Sequence, residues 1–197
     1  MDNEIQLPKK VAKFLTDSAI KCEAVGHRTV YTAFDKAATL RLKPAAIVKV
    51  LMLKADGDLV MALVGGDRNL DAAKLQKLIK AKKLDFAKEK AIGETFKGID
   101  PGAIPPFEEL WGIRVFCDKK LLEQAKLVLS AGSYETSLKI APGTFKKANP
   151  QMVAGIFSAA KPKPKKQPKS KAKAGRKRAA SPKKAAKKAA TKKTGRK

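Results

Sequence analysis

A chain of 197 residues is long enough for one domain of ordinary size with a genuine hydrophobic core, and its formal net charge is +26. Eighteen of the 44 Lys and Arg residues follow Ala160, where Asp and Glu are absent, so the first 160 residues carry 26 basic and 18 acidic residues, a net charge of +8. This asymmetry predicts a polyanionic partner, nucleic acid before membrane. A single histidine and two distant cysteines argue against a His-based metal cluster, a Ser-His-Asp triad and a disulfide framework, so we expect no metal site and no cofactor.

The N-terminal region predicts a cytoplasmic protein. The chain begins Met-Asp-Asn-Glu, which is acidic and lacks the apolar segment of a signal peptide. No apolar run approaches the roughly 20 residues that span a bilayer, so no membrane partner is expected. Cys22 and Cys117 are accordingly expected to be reduced thiols.

Hydrophobic periodicity predicts alternating helices and strands in the first half of the chain. An amphipathic helix follows Pro8 and ends near Lys21, and Thr32 begins a second helix as the first residue of a capping box. Two strong strands are joined by the hairpin signal Asp56-Gly57. The predicted strands are residues 47–53 and 59–64, with short extended pieces at 22–25 and 29–31 and a further helix capped by Asn69.

The second half continues this alternation around a proline-containing loop. Asp118 is predicted to cap a helix that extends to Val128, and Thr144 to open a last short helix. The other predicted elements are a short strand, a short helix and a glycine break within 84–98, strands at 113–117, 134–140 and 152–157, and a turn at 131–133. Hairpins mixed with helices predict an α/β fold of the α+β type over residues 1–160, with a mixed, largely antiparallel sheet covered by helices.

Residues 102–107, called the Gly102 loop below, have the sequence Gly-Ala-Ile-Pro-Pro-Phe. Gly102 can adopt backbone angles closed to other residues, and Pro105 and Pro106 stiffen the loop. The adjacent amides of Gly102, Ala103 and Ile104 could stabilise an oxyanion or a phosphate. The alternative is a rigid surface turn.

Lys49 lies in the middle of the apolar strand at residues 47–53. An ammonium group in such a strand either reaches the surface, pairs with Asp67 or Asp71, or faces a polar cavity. Together with the Gly102 loop, Lys49 favours the cavity.

Residues 161–197, called the tail below, differ sharply in composition from the rest of the chain. Lys, Ala and Pro dominate, and aromatic and large aliphatic residues are absent, so the tail is expected to be disordered when free. The tail resembles the C-terminal domain of linker histones, which implies nucleic-acid binding. Counterion release favours this role over that of a solubilising tail. The basic residues that we take as nucleic-acid contacts are Lys165, Lys166, Arg176, Lys177, Arg178, Lys183 and Lys184.

The order and spacing of several segments within residues 10–157 resemble those of the YbaK/EbsC family, relatives of the editing domain inserted in bacterial prolyl-tRNA synthetases. The segments are His27 followed by Tyr31-Thr32-Ala33, Lys49 within its strand, Gly66-Asp67, Leu70-Asp71, the Gly102 loop, Leu110-Trp111-Gly112-Ile113 and Ala131-Gly132-Ser133. The resemblance implies the YbaK-like fold and a trans-editing deacylase that hydrolyses a mischarged aminoacyl-tRNA. It favours a small amino acid such as Ala or Cys, carried on a proline tRNA, with Ser or Thr as the alternatives.

The resemblance also implies which residues carry this activity. The expected catalytic residues are Lys49, Gly102, Ala103 and Ile104, and the expected substrate-binding residues are His27, Pro106, Gly132, Ser133 and Tyr134. We expect a mechanism without a protein nucleophile, in which position and charge assist an ester that is already activated.

Two departures from the family keep a second hypothesis open. Glu108 and Glu109 follow the loop where many relatives have glycine, and Tyr134 stands where several relatives have histidine. His27 could equally be a hydrogen-bonding residue in a turn. The alternative function is a catalytically inactive YbaK-like module that binds tRNA or other nucleic acid and carries a histone-like tail.

Overall fold

A computed structural model describes residues 5–160, so the predictions made for the tail lie outside the described residues. The helices are α1 (Lys9–Asp17), α2 (Ala33–Thr39), α3 (Ala72–Ile79), α4 (Glu89–Thr95), α5 (Glu108–Trp111), α6 (Lys119–Leu122) and α7 (Pro142–Lys147), with a 3₁₀ turn at Pro44–Ala46. The strands are β1 (Glu23–Gly26), β2 (Val48–Ala55), β3 (Asp58–Gly65), β4 (Arg68–Leu70), β5 (Leu84–Phe86), β6 (Arg114–Asp118), β7 (Leu127–Ser130), β8 (Thr136–Ile140), β9 (Val153–Gly155) and β10 (Ser158–Ala160). Within residues 5–160, no helix is long and apolar enough to cross a membrane.

The largest sheet has five strands in the order β5-β2-β3-β6-β9. Its β2–β3 hairpin turns at Asp56 and Gly57, which both have positive φ, as a two-residue turn that matches strand twist requires. The β3–β6 and β6–β9 pairs are parallel, whereas β2 pairs with β3 and β5 in antiparallel orientation. The predicted mixed sheet within an α/β fold is therefore confirmed.

Two smaller sheets flank the five-stranded one. β1, β8 and β7 form an antiparallel sheet, and β4 pairs with β10. A parallel bridge between Ile47 and Val128 joins the beginning of β2 to β7. This bridge brings the end of β7 close to the strand that carries Lys49.

The predicted helix up to Val128 is wrong, because α6 ends at Leu122 and residues 127–130 form the buried strand β7. A short apolar run buried in a sheet has no strand period, so the sequence pattern could not separate it from a buried helix. The predicted cap at Asn69 is also wrong. Asn69 lies in β4, and Asp71 caps α3 by accepting a hydrogen bond from Lys74 N. The predicted caps at Thr32 and Asp118 are confirmed.

Strand β3 is buried on both faces of the main sheet. Met61 and Leu63 pack into one hydrophobic cluster with Phe107, and the alternating Val60, Ala62 and Val64 pack into a second cluster with Leu75 of α3. Strand β2 pairs with β3 from Val48 to Ala55, which fixes the backbone position of Lys49.

Candidate active site

An open pocket of about 460 Å³ lies between β2, the region around α2, the Gly102 loop and the end of β7. Lys49, Gly102, Ala103 and Tyr134 line this pocket, here called the Lys49 pocket. No Asp or Glu of the described part of the chain lines it. The pocket therefore favours an anionic or strongly polarised group over a cation.

Lys49 lies half-buried at the Lys49 pocket, where its Nζ donates a hydrogen bond to the carbonyl oxygen of Arg68. This carbonyl belongs to β4, and Arg68 itself is held by two hydrogen bonds from its guanidinium to Ser158 of β10. Asp71, one of the partners considered above, forms its ion pair with Lys74 at 3.2 Å. The small β4–β10 sheet thus positions the acceptor that orients Lys49.

The Gly102 loop begins with a tight turn. Gly102 has φ of +82°, and Ala103 N donates to the carbonyl oxygen of Asp100 at 2.9 Å. The expectation that three adjacent amides are available is therefore corrected, because this turn uses the middle one. The amides of Gly102 and Ile104 donate to no acceptor within residues 5–160.

Four hydrogen bonds join the residues around Gly102 to the turn after β7. Gly132 accepts from Asp100 N through its carbonyl oxygen and donates through its N–H to Ala103 O, each at 2.9 Å. Tyr134 donates from its backbone N–H to Asp100 Oδ2 at 3.2 Å and from its hydroxyl to Pro101 O. Burial, with smaller contributions from Asp100 and Tyr31, raises the pKa of Tyr134, which keeps its hydroxyl a hydrogen-bond donor.

The other end of the Gly102 loop is anchored in the core. Phe107 is fully buried against Phe14 and Phe145, and Trp111 Nε1 donates to Pro105 O at 2.8 Å. Pro106 and Ile104 are buried, and neither of them lines the Lys49 pocket. Glu108 is also buried, and burial raises the pKa of its carboxyl.

His27 and Ser133 lie at a different cavity, so the structure does not bring them to the Lys49 pocket. His27 Nδ1 lies 2.9 Å from the carbonyl oxygen of Arg28, and its Nε2 lies 2.8 Å from Ser137 Oγ. A neutral ring donating from Nδ1 and accepting at Nε2 satisfies both contacts, and burial lowers the pKa of His27 in agreement with that state. The substrate-binding roles of His27, Gly132 and Ser133 stay predictions.

Sequence reasoning missed two polar residues of the pocket, Lys36 and Ser130. Lys36 Nζ donates to Ser130 Oγ at 3.0 Å, and each residue is only 7% exposed. Burial lowers the pKa of Lys36 to about 8. A signal was present for Lys36, because it shares the apolar face of α2 with Ala33, Ala37 and Leu40.

Residues 27–148, more than half of the chain, match the aminoacyl-tRNA editing domain family, and the chain belongs to this family. It is 32% identical over 116 residues to the proline–tRNA ligase of Lysinibacillus sphaericus and 34% identical over 110 residues to that of Nitratidesulfovibrio vulgaris. These matches cover 58% and 55% of this chain but 20% and 19% of the two ligases. The chain thus corresponds to about a fifth of the length of those enzymes.

Two solved structures share the fold. One is the "putative trans-editing enzyme for prolyl tRNA synthetase", with a TM-score of 0.70 and 18% identity, and it covers 79% of this chain and all of that one. The other is the hypothetical protein APE2540, with a TM-score of 0.69 and 21% identity, over 77% of this chain and all of that one. The YbaK-like fold implied by the sequence is therefore confirmed.

Proposed function

We propose that this chain acts in the cytoplasm as a trans-editing deacylase that hydrolyses the ester bond of a mischarged aminoacyl-tRNA. One observation carries the proposal. A single pocket is lined by Lys49 and by Gly102 and Ala103 of the Gly102 loop, in a chain of the aminoacyl-tRNA editing family.

The charge of the Lys49 pocket suits this chemistry. Hydrolysis of an ester places negative charge on the carbonyl oxygen in the transition state, and a positioned ammonium group such as that of Lys49 stabilises it. The Gly102 amide at the pocket rim can add a hydrogen bond, since no acceptor within residues 5–160 uses it. An aminoacyl ester is already activated, so position and charge together can supply a useful rate.

The proposed substrate is a small amino acid such as Ala or Cys on a proline tRNA. Support comes from the similarity to two proline–tRNA ligases and from the fold shared with the "putative trans-editing enzyme for prolyl tRNA synthetase". The tail is proposed to add affinity for the tRNA backbone, or for other nucleic acid, through its uncompensated cations.

A second candidate is an inactive module that binds tRNA without hydrolysing it. Two observations favour this candidate: the Ala103 amide already donates to Asp100 O, and Tyr134 is bound to Pro101 and Asp100 where several relatives have histidine.

A deacylation assay over a panel of mischarged tRNAs tests the proposal. The panel pairs Ala, Cys, Ser, Thr and Pro with proline tRNA, and pairs Ala with alanine tRNA as the correctly charged control. Hydrolysis of Ala or Cys on proline tRNA, with the correctly charged tRNAs spared, is the expected result. Binding of these tRNAs without hydrolysis of any of them would contradict deacylation and support the inactive module.

A further inference from the structure

Lys36 and Ser130 form a pair of potential catalytic groups that lies in the Lys49 pocket. Lys36 comes from α2 and Ser130 from the last position of β7, and their Nζ and Oγ atoms are 3.0 Å apart. A nucleophilic hydroxyl within hydrogen-bond distance of a basic group is the arrangement that covalent catalysis requires. Serine with lysine as its base is one of the known variants of this arrangement.

The surroundings of Lys36 penalise its charged ammonium form. Ser130 Oγ is its hydrogen-bond partner, and no carboxylate of residues 5–160 lies within ion-pair distance of its Nζ. Burial lowers its pKa to about 8, so about a tenth of the Lys36 side chains are unprotonated at pH 7 and about half are unprotonated at pH 8.

The other titratable groups that face Lys36 do not compensate its charge. Lys49, Tyr31 and Tyr134 line the same pocket, and His27 interacts with Lys36 electrostatically. Because the pKa of His27 is lowered and that of Tyr134 is raised, both rings stay neutral between pH 7 and 9.

A purely structural role explains this pair poorly. Burying an ammonium group against a single hydroxyl costs free energy that an apolar side chain at the same place would avoid. The rest of the buried face of α2 consists of Ala and Leu residues that pack against Ile47 and Val128. A functional role in the pocket that Lys36 lines therefore explains this lysine better than a structural role does.

We propose that Ser130 is the nucleophile and Lys36 its general base for ester hydrolysis in the Lys49 pocket. This inference rests on the proposed deacylase function, and it replaces the mechanism without a protein nucleophile that the sequence suggests. Both groups contact the pocket, and both are held by regular secondary structure rather than by loops.

The reaction balances with water as its single co-substrate. Ser130 Oγ attacks the carbonyl carbon of the aminoacyl ester while its proton passes to Lys36 Nζ, and Lys49 stabilises the oxyanion. The tetrahedral intermediate then expels the ribose oxygen, which takes the proton from Lys36, and leaves an acyl-serine ester. Water attacks this ester with Lys36 again as base, which releases the amino acid and restores Ser130.

Two measurements on the full chain test the dyad. The first uses a fluorophosphonate probe, whose phosphorus is attacked by an activated serine with loss of fluoride, and mass spectrometry locates the labelled residue. We expect labelling at Ser130 that accelerates as the pH rises from 7 to 9, and a labelling rate at least 100-fold lower in Lys36→Met. Lys54→Met, which changes an exposed lysine of β2, is expected to label like the wild type.

The second measurement is single-turnover hydrolysis of a mischarged acceptor-stem RNA. Ser130→Ala and Lys36→Met should each lower the rate constant about 1000-fold, whereas the exposed-site control Ser18→Ala should not change it. Absence of probe labelling at Ser130, together with an unchanged rate in Ser130→Ala, would overturn the dyad and leave the deacylase function standing. Labelling of Ser130 without turnover of any mischarged tRNA would support the dyad and overturn the proposed substrate.

Discussion

Burial of Lys36 lowers the stability of the fold, but it also lowers the pKa of this side chain, as the proposed role of Lys36 as a base requires. Its folded-state pKa of about 8 lies below the ordinary value of 10.5, so the unfolded chain binds more protons than the folded one between these values. The resulting loss of stability is complete below pH 8 and disappears as the pH rises toward 10.5. Its size is roughly 3 kcal/mol.

Replacing Lys36 by Met should therefore change the pH dependence of stability. The free energy of unfolding of Lys36→Met, relative to the wild type, is expected to be most favourable at pH 7 and to decline by roughly 2 kcal/mol by pH 10. Urea denaturation of both proteins at these two pH values measures this difference. If the difference in free energy of unfolding between Lys36→Met and the wild type is the same at pH 7 and pH 10, burial does not penalise the ammonium group of Lys36.

Single residues of the site differed in how well the sequence revealed them. Lys49 was visible as a charge inside an apolar strand. Lys36 could have been found from its place on the apolar face of α2. Ser130 could not, because the apolar sequence of β7 is equally compatible with a buried helix. The partner of His27, Ser137, is 110 residues away in the chain, and sequence spacing carries no information about such a contact.

At the scale of elements, the site depends on the junction between the Gly102 loop and the turn after β7. Four hydrogen bonds join residues 100–103 to residues 132–134, yet Gly102 and Gly132 are required for different reasons. Gly102 has positive φ in open space, whereas a Cβ at Gly132, with φ of +106°, would lie 2.6 Å from Pro8 Cγ and 3.0 Å from Ile99 Cδ1.

These two glycines allow a matched comparison. Gly102→Ala should lower the free energy of unfolding by about 1–2 kcal/mol, because only backbone strain opposes it. Gly132→Ala should cost at least about 1 kcal/mol more, because overpacking against Pro8 adds to the strain. Chemical denaturation of both variants at one pH measures the two losses. Equal losses would contradict the close packing of Gly132 against the N-terminal segment.

Elements with local signals were predictable from the sequence, and elements defined by tertiary pairing were not. The Asp56-Gly57 hairpin and the caps at Thr32 and Asp118 follow from short-range turn and capping chemistry. Strand β4 could not be predicted in this way, and because β4 extends to Leu70, Asp71 rather than Asn69 caps α3. β4 exists because β10, about 90 residues later, pairs with it.

At the scale of the whole molecule, the sequence divides into a folded region and a strongly basic tail of different composition. β10 ends at Ala160, whose ladder partner is Arg68, so ending the chain after Ala160 keeps the β4–β10 pairing that positions the acceptor of Lys49. The truncation removes 18 positive charges and keeps every residue that the described part of the chain contributes to the Lys49 pocket.

This truncation should separate nucleic-acid affinity from chemistry. The plot of log K against log salt for tRNA binding should flatten by up to about 0.9 per tail cation that contacts a phosphate, because fewer counterions are released. Turnover of a saturating acceptor-stem substrate should stay nearly unchanged. Identical salt slopes for both proteins would contradict a nucleic-acid role for the tail, and lost turnover at saturation would place the tail in the active site.

The most direct test of the account is single-turnover hydrolysis of Ala carried on proline tRNA by the wild type, Lys49→Ala and Lys54→Ala. Both lysines belong to β2, but only Lys49 lines the pocket, and Lys54 is exposed. We predict that Lys49→Ala lowers the rate constant about 100-fold with an unchanged thermal midpoint, because it removes charge stabilisation in the transition state, and that Lys54→Ala stays within about twofold of the wild type. Equal rates for Lys49→Ala and the wild type would contradict the assignment of the Lys49 pocket as the active site.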